Sequence, residues 1–152
     1  MTVVPIGKKN GPSRSVLINN LIADEGFKPK PYRDTVGKLT IGVGRNIEDR
    51  GITKAEAMVL LNNDIEIVEA ELDHHIPWWR EMDEVRMRAL ANMAFNMGAP
   101  KLLGFKRMLA ALEAKDYRIA ADEALHSRWR AQVGEGRANR LANMIRHGRD
   151  SP

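Results

Sequence analysis

The chain predicts an α+β fold, and three observations carry that prediction. An apolar helical pattern over residues 15–25 comes first. A stretch rich in proline and glycine follows and reads as a small antiparallel hairpin. From Thr53 onward the only periodicity is helical. A helix, then a small sheet, then helices alone is an α+β order. With 152 residues, 43% of them hydrophobic and 29% charged, the chain can fill one compact unit or two small lobes sharing a core.

Residues 1–13 hold Gly, Lys, Asn and Pro with little to bury and are expected to form a flexible leader. Val16, Leu17, Ile18, Leu21 and Ile22 then give the helix its apolar face, with Ser13 or Ser15 as N-cap and Gly26 as breaker. Glu25 therefore occupies the last turn. A carboxylate there faces the negative end of the helix dipole, a field suited to a group that must hold and then deliver a proton.

Lys28-Pro29-Lys30-Pro31 cannot continue a helix. Tyr32 and Arg33 lead into the turn Asp34-Thr35-Val36-Gly37-Lys38, Leu39-Thr40-Ile41 return as a strand, and Gly42-Val43-Gly44 permits a bend or a close backbone approach. This brings Asp34 and Thr40 onto adjacent parts of a small sheet facing the helix end that carries Glu25. Residues 45–51 read as a polar loop. Thr53-Lys54-Ala55-Glu56 is a capping box opening a long helix, about 53–75, with the stripe Leu61, Ile65, Val68 and Leu72. Pro77 stops it. Trp78 and Trp79 are adjacent, so one is expected to pack and the other to lie exposed.

Val85 to Met97 is apolar nearly all round and predicts a buried helix. Shorter helices are expected over Phe105–Ala114 and Tyr117–Leu125, the latter capped by Asp116, with a turn around Arg128-Trp129. The last helix runs to about His147, with Leu141, Met144 and Ile145 opposite Arg137, Arg140 and Arg146, and Gly148 closes it.

The chain has no cysteine and a formal charge of +4, so disulfides and cysteine metal sites are excluded and an anionic polymer is a natural partner. The N-terminus lacks an export h-region, and no run approaches a membrane span. Gly42-Val43-Gly44 has Ile47 where a dinucleotide loop needs glycine, and there is neither a phosphate-cradle Gly-Lys-Ser/Thr nor a His-Glu-x-x-His. Neither metal nor cofactor is expected.

Glu25-Gly26, Tyr32-x-Asp34, Gly37 and Thr40-Ile41-Gly42-x-Gly44 together resemble the T-even-phage-type lysozymes, the endolysin muramidases. Ile52-Thr53-Lys54-x-Glu56-Ala57, Asn92-Met93-x-Phe95-x-Met97-Gly98 and Ser127-Arg128-Trp129 follow as landmarks in the same order, so the likeness covers roughly residues 17–148. It implies a lysozyme-like fold within a single domain. A small β lobe of about 26–52 and a helical lobe of about 76–150 would be joined by the long helix, with the helix of 15–25 packing on the helical lobe.

It also implies an enzyme cutting the β-1,4 bond between N-acetylmuramic acid and N-acetylglucosamine in peptidoglycan. Glu25 would be the general acid, Asp34 the ionised partner and Thr40 the holder of the attacking water. Tyr32, Phe95, Asn96 and Arg137 would contact substrate or line the cleft, Arg137 standing where the family has an arginine that pairs with the catalytic glutamate. Asn96 is shorter than the glutamine familiar there.

Arg45 stands where the family often has histidine, and an Arg45–Asp64 ion pair is expected. The protein would be a monomer made in the host cytoplasm without a signal peptide, act on the cell wall after release by a holin-like protein, and bind no nucleic acid. The basic C-terminal helix is a candidate for contact with an anionic outer-membrane surface. Two other readings stay open: a lytic transglycosylase on the same substrate, and a non-catalytic nucleic-acid binder using the arginines of 128–149.

Overall fold

A computed structural model describes residues 10–150. The expected leader falls mostly on residues 1–9, outside the described residues. Helix α1 (Arg14–Glu25) is followed by strands β1 (Lys28–Arg33), β2 (Leu39–Gly42) and β3 (Arg45–Asn46), and by the single-turn helix α2 (Ile47–Arg50). Then come α3 (Lys54–His75), a 3-10 turn (Pro77–Glu81), α4 (Glu84–Met97), α5 (Ala99–Leu103), α6 (Lys106–Glu113), α7 (Tyr117–Leu125), α8 (Trp129–Val133) and α9 (Glu135–His147). The α+β order holds. The chain divides into two compact units, one through Ala57 and one from Met58 onward.

In the first unit the strands form an antiparallel sheet in the order β1-β2-β3. β1 lies at an edge, as its two prolines require, because they cannot donate to a ladder. Its pairing with β2 shifts between Lys28 and Tyr32. The register sets Tyr32 opposite Thr40, and Thr40 opposite Asn46. Directly opposed residues share a sheet face, so these three side chains form one row. The expected polar loop of 45–51 is instead β3 and α2. Asn46, paired with Thr40, also caps α2 by accepting the Asp49 N–H at 3.0 Å, a double duty that polar composition did not reveal.

The capping box of α3 is formed: the Glu56 N–H donates to Thr53 Oγ1 at 3.1 Å, and the Thr53 N–H to Glu56 Oε1 at 2.8 Å.

The second unit holds the core, built on Leu90 and Met93 of α4, Leu102, Met108, Leu112, and Leu141 and Ile145 of α9. Trp79 is buried and donates to Asp73 Oδ1 at 2.7 Å, while Trp78 is half-buried against the core. Asp116 caps α7 as expected. Two short helices lie where none was expected, α5 just past the end of α4 and α8 at the expected turn around Arg128-Trp129. Pro100 stands in the first turn of α5, where a missing N–H costs nothing, and α8 follows Arg128 directly.

α9 turns its apolar face wholly inward: Ala138, Leu141, Ala142, Met144 and Ile145 are buried. Arg86 reaches its C-terminal end. Nε donates to the Ile145 carbonyl at 2.6 Å and Nη2 to the Arg146 carbonyl at 3.2 Å, and the guanidinium stacks 3.4 Å from the Tyr117 ring centroid.

Candidate active site

Glu25 is the last residue of α1. The helix stops because Gly26 adopts φ 73°, its N–H still donating to the Ile22 carbonyl at 2.8 Å. The Glu25 side chain extends onto the turn joining β2 to β3 and rests on Gly44, where a Cβ would stand 2.9 Å from Oε2. Among the described residues of its own unit Glu25 has no ion-pair partner.

Asp34 heads the turn between β1 and β2. Its Oδ1 accepts the N–H groups of Val36 at 3.0 Å and Lys38 at 2.8 Å, and its own N–H donates to the Lys38 carbonyl at 2.9 Å. Capping the turn thus consumes one carboxylate oxygen, and among the described residues Oδ2 accepts nothing. The cap also orients that second oxygen. Lys38 is held charged, its ammonium raised above its ordinary range first by Asp49 and then by Glu48.

Thr40 is the one buried polar side chain among the described residues, 3% exposed. Its hydroxyl donates to the Lys38 carbonyl at 2.9 Å, so the oxygen lone pairs remain to accept a proton from a further partner. Tyr32 lies beside it across the ladder, half-buried, with Lys28 Nζ 5.1 Å from the ring centroid. One short sheet therefore collects Glu25, Tyr32, Asp34 and Thr40.

The expected Arg45–Asp64 pair is replaced by another. Arg45 Nη2 lies 2.6 Å from Glu56 Oε2, and Nη1 donates to Glu56 Oε1 and the Gly51 carbonyl, each at 3.1 Å. Glu56 is already turned toward the sheet by its capping role, and a planar guanidinium answers both carboxylate oxygens at once. This pairing, with Thr53 adding to it, pulls the Glu56 carboxyl from 4.5 down to about 2. Asp64 has no ion pair among the described residues.

The remaining candidates belong to the second unit. Phe95 is exposed and Arg137 half-buried, and both line an open pocket of about 620 Å³ with Asn92 and Met144. Arg137 donates twice to Asn92 Oδ1, from Nε at 3.1 Å and Nη2 at 2.7 Å. Asn96, one position on from Phe95, is exposed and is not part of that wall.

A second pocket, about 550 Å³, escaped the sequence reading. Lys101, Lys106, Arg107 and Arg128 stand around it with Glu123 as the single acid. None of these four cations has an ion pair among the described residues, whereas Arg80, Arg88 and Arg146 are all paired. The indole of Trp129 also lines this pocket, and its buried Nε1 has no hydrogen-bond partner among the described residues. The cations come from three separate segments, so no run in the sequence marks them.

Residues 23–147 match the phage lysozyme family model. The chain belongs to the phage lysozyme family. It is similar to probable T4-type lysozyme 1 of Dictyostelium discoideum, 29% identical over 82% of this chain and 90% of that one. It is 35% identical over 72% of its length to the SAR-endolysin of Escherichia phage Mu, covering 63% of that protein. It is also 31% identical over 82% of its length to the pre-baseplate central spike protein Gp5 of Enterobacteria phage T4, a match that spans only 26% of the spike protein. Family membership gives the chain a lysozyme-type, peptidoglycan-lytic role, and peptidoglycan is its substrate.

Proposed function

We propose that this phage lysozyme hydrolyses the β-1,4 bond between N-acetylmuramic acid and N-acetylglucosamine, with Glu25 as general acid and with Asp34 and Thr40 holding the attacking water. The observation that carries the reading is that Glu25 and Asp34 sit at opposite ends of β2 with Thr40 between them. Four residues of antiparallel strand span on the order of 10 Å. That favours carboxyls set apart with a water between them, the inverting arrangement, over the ~5 Å approach of a retaining pair.

Each group suits its part. Glu25 is exposed and meets the glycosidic oxygen from the helix end. Asp34 presents Oδ2 to water and to the positive charge that develops at the anomeric carbon. Thr40 accepts a hydrogen bond from the water and so aims the water's lone pair at that carbon, while the Asp34 carboxylate takes up the proton the water releases. Tyr32 flanks the row as a sugar-facing ring; Phe95, Asn96 and Arg137 are proposed as substrate contacts of the second unit by itself. The cationic pocket suits the carboxylates of the peptide stems. The enzyme is proposed to act as a monomer on the cell wall from the periplasmic side. Any contact with an anionic outer membrane would use exposed Arg140 and Arg149 without insertion, because the apolar face of α9 is buried.

The test is turbidity clearing of chloroform-permeabilised Gram-negative cells by wild type, Glu25→Gln, Asp34→Asn and Thr40→Val, with reducing-end analysis of the products. General acid–base roles predict losses of roughly 10²–10⁴ for each folded variant. New reducing ends mark hydrolysis, and an anhydro sugar would replace the reading with a transglycosylase. A Glu25→Gln protein that still clears cells refutes the assignment.

A further inference from the structure

We infer that Gly44 is a positioning residue for Glu25: its bare Cα is the seat that holds the acid in place, and the Arg45–Glu56 pair holds the seat. The inference rests on the reading of Glu25 as general acid.

Glu25 is exposed and is the terminal residue of its helix, so neither burial nor a continuing turn fixes its side chain. Among the described residues of the first unit it makes no hydrogen bond that would do so. What it touches is the hairpin turn. A Cβ on Gly44 would lie 2.9 Å from Oε2, 3.0 Å from Cδ and 3.1 Å from Cγ, so three successive atoms of the acid lie along the glycine. An ordinary contact begins at 3.4 Å, so a methyl group would force the carboxyl back by 3.4 − 2.9 = 0.5 Å or more. Gly44 also has φ 68°, a conformation that glycine adopts freely. The residue is thus fitted to the turn and to the acid at once.

The seat needs a rigid mount, and the neighbouring residue supplies it. Arg45 joins β3 to the first turn of α3 through both Glu56 oxygens and also grips the Gly51 carbonyl. The Arg45 side chain is 28% exposed, and its three hydrogen bonds hold it in one orientation. One peptide bond separates this anchor from Gly44. Displacing reacting groups by about 1 Å costs of order a hundredfold in rate, so half that displacement is expected to be visible in kcat.

The experiment measures kcat and KM on soluble peptidoglycan fragments for Gly44→Ala, Arg45→Gln and Arg45→Lys beside wild type and Glu25→Gln, with a melt for each. Gly44→Ala is expected to lose about tenfold or more in kcat with KM within about twofold, the pattern of a displaced acid and not of lost binding. Arg45→Gln is expected to show the same kcat-only loss without adding an atom at position 44, and Arg45→Lys to recover part of it. Wild-type kcat in folded Gly44→Ala, or a loss carried by KM, overturns the inference. Should Gly44→Ala not fold, full kcat in Arg45→Gln overturns it equally. An active Glu25→Gln would instead sink the parent reading, so the two failures are distinguishable.

Discussion

Removing Arg86 tests how the second unit is held together. Its side chain is only 12% exposed and serves α9 from α4. It satisfies two carbonyls at the C-terminal end of α9 and covers the Tyr117 ring. Helix ends leave such carbonyls without partners. Arg86→Ala uncaps both and removes the stacked cation. Two charge-assisted hydrogen bonds and one cation–π contact, with the solvent-facing Asp83 contact discounted, sum to roughly 3 kcal/mol. A loss of that size lowers Tm by about 15 °C in a unit of this size. The three tryptophans, Trp78, Trp79 and Trp129, all belong to this unit, so a melt followed by tryptophan fluorescence reports on it alone. Gly148 closes the reasoning. It has φ 66°, and a Cβ there would stand 2.6 Å from Arg86 Nη1. In wild type, Gly148→Ala meets both left-handed strain and the guanidinium; in the Arg86→Ala background only the strain, about 1 kcal/mol, remains. The double variant should therefore fall short of additivity by ~1 kcal/mol or more. A Tm change under about 2 °C for Arg86→Ala, or strict additivity of the pair, refutes the clamp.

Three further outcomes follow from other sites. Glu56 titrates near 2 instead of 4.5, so its pairing stabilises the folded state fully above 4.5 and is lost as pH falls through 2. The stability gap between wild type and Glu56→Gln, read from urea melts followed by circular dichroism, should narrow across that window and stay constant above it. Reversing two cations at the second pocket, Lys106→Glu with Arg107→Glu, should weaken retention on insoluble peptidoglycan and flatten its salt dependence while leaving the melt unchanged. Trp129→Phe removes a buried N–H that has no acceptor, so it should cost less than about 1 kcal/mol, far below a usual buried tryptophan substitution, as a denaturant titration would show.

The parts of the fold legible in the sequence were those written in local chemistry. Gly26 ends α1, Thr53 and Glu56 start α3, and Asp116 starts α7, because each cap is satisfied by neighbours within four residues. The turn at Asp34 was legible for the same reason. The misses were long-range or crowded. Arg45 chose Glu56 over Asp64 because the capping box had already turned Glu56 toward the sheet, a tertiary consequence of a local motif. β3 is two residues long and has no periodicity to detect; only its partner Thr40 reveals it. α5 and α8 are five residues each and are carried by packing under Leu102 and Trp129. Glu25, Asp34 and Thr40 could be singled out as candidates through the family resemblance, Thr40 through that alone. The glycine under the acid and the cations of the second pocket could not, because their roles exist only once separate segments meet.

The prolines of β1 have a consequence beyond local geometry. Pro29 and Pro31 both stand on this edge strand and carry no N–H to offer a further strand. An incoming chain seeking to extend the ladder there would find blank positions flanked by the charges of Lys28, Lys30 and Arg33. The sheet stops at this border because its own outermost strand refuses a neighbour, which guards a small, largely uncovered β-structure against stacking with copies of itself at high concentration.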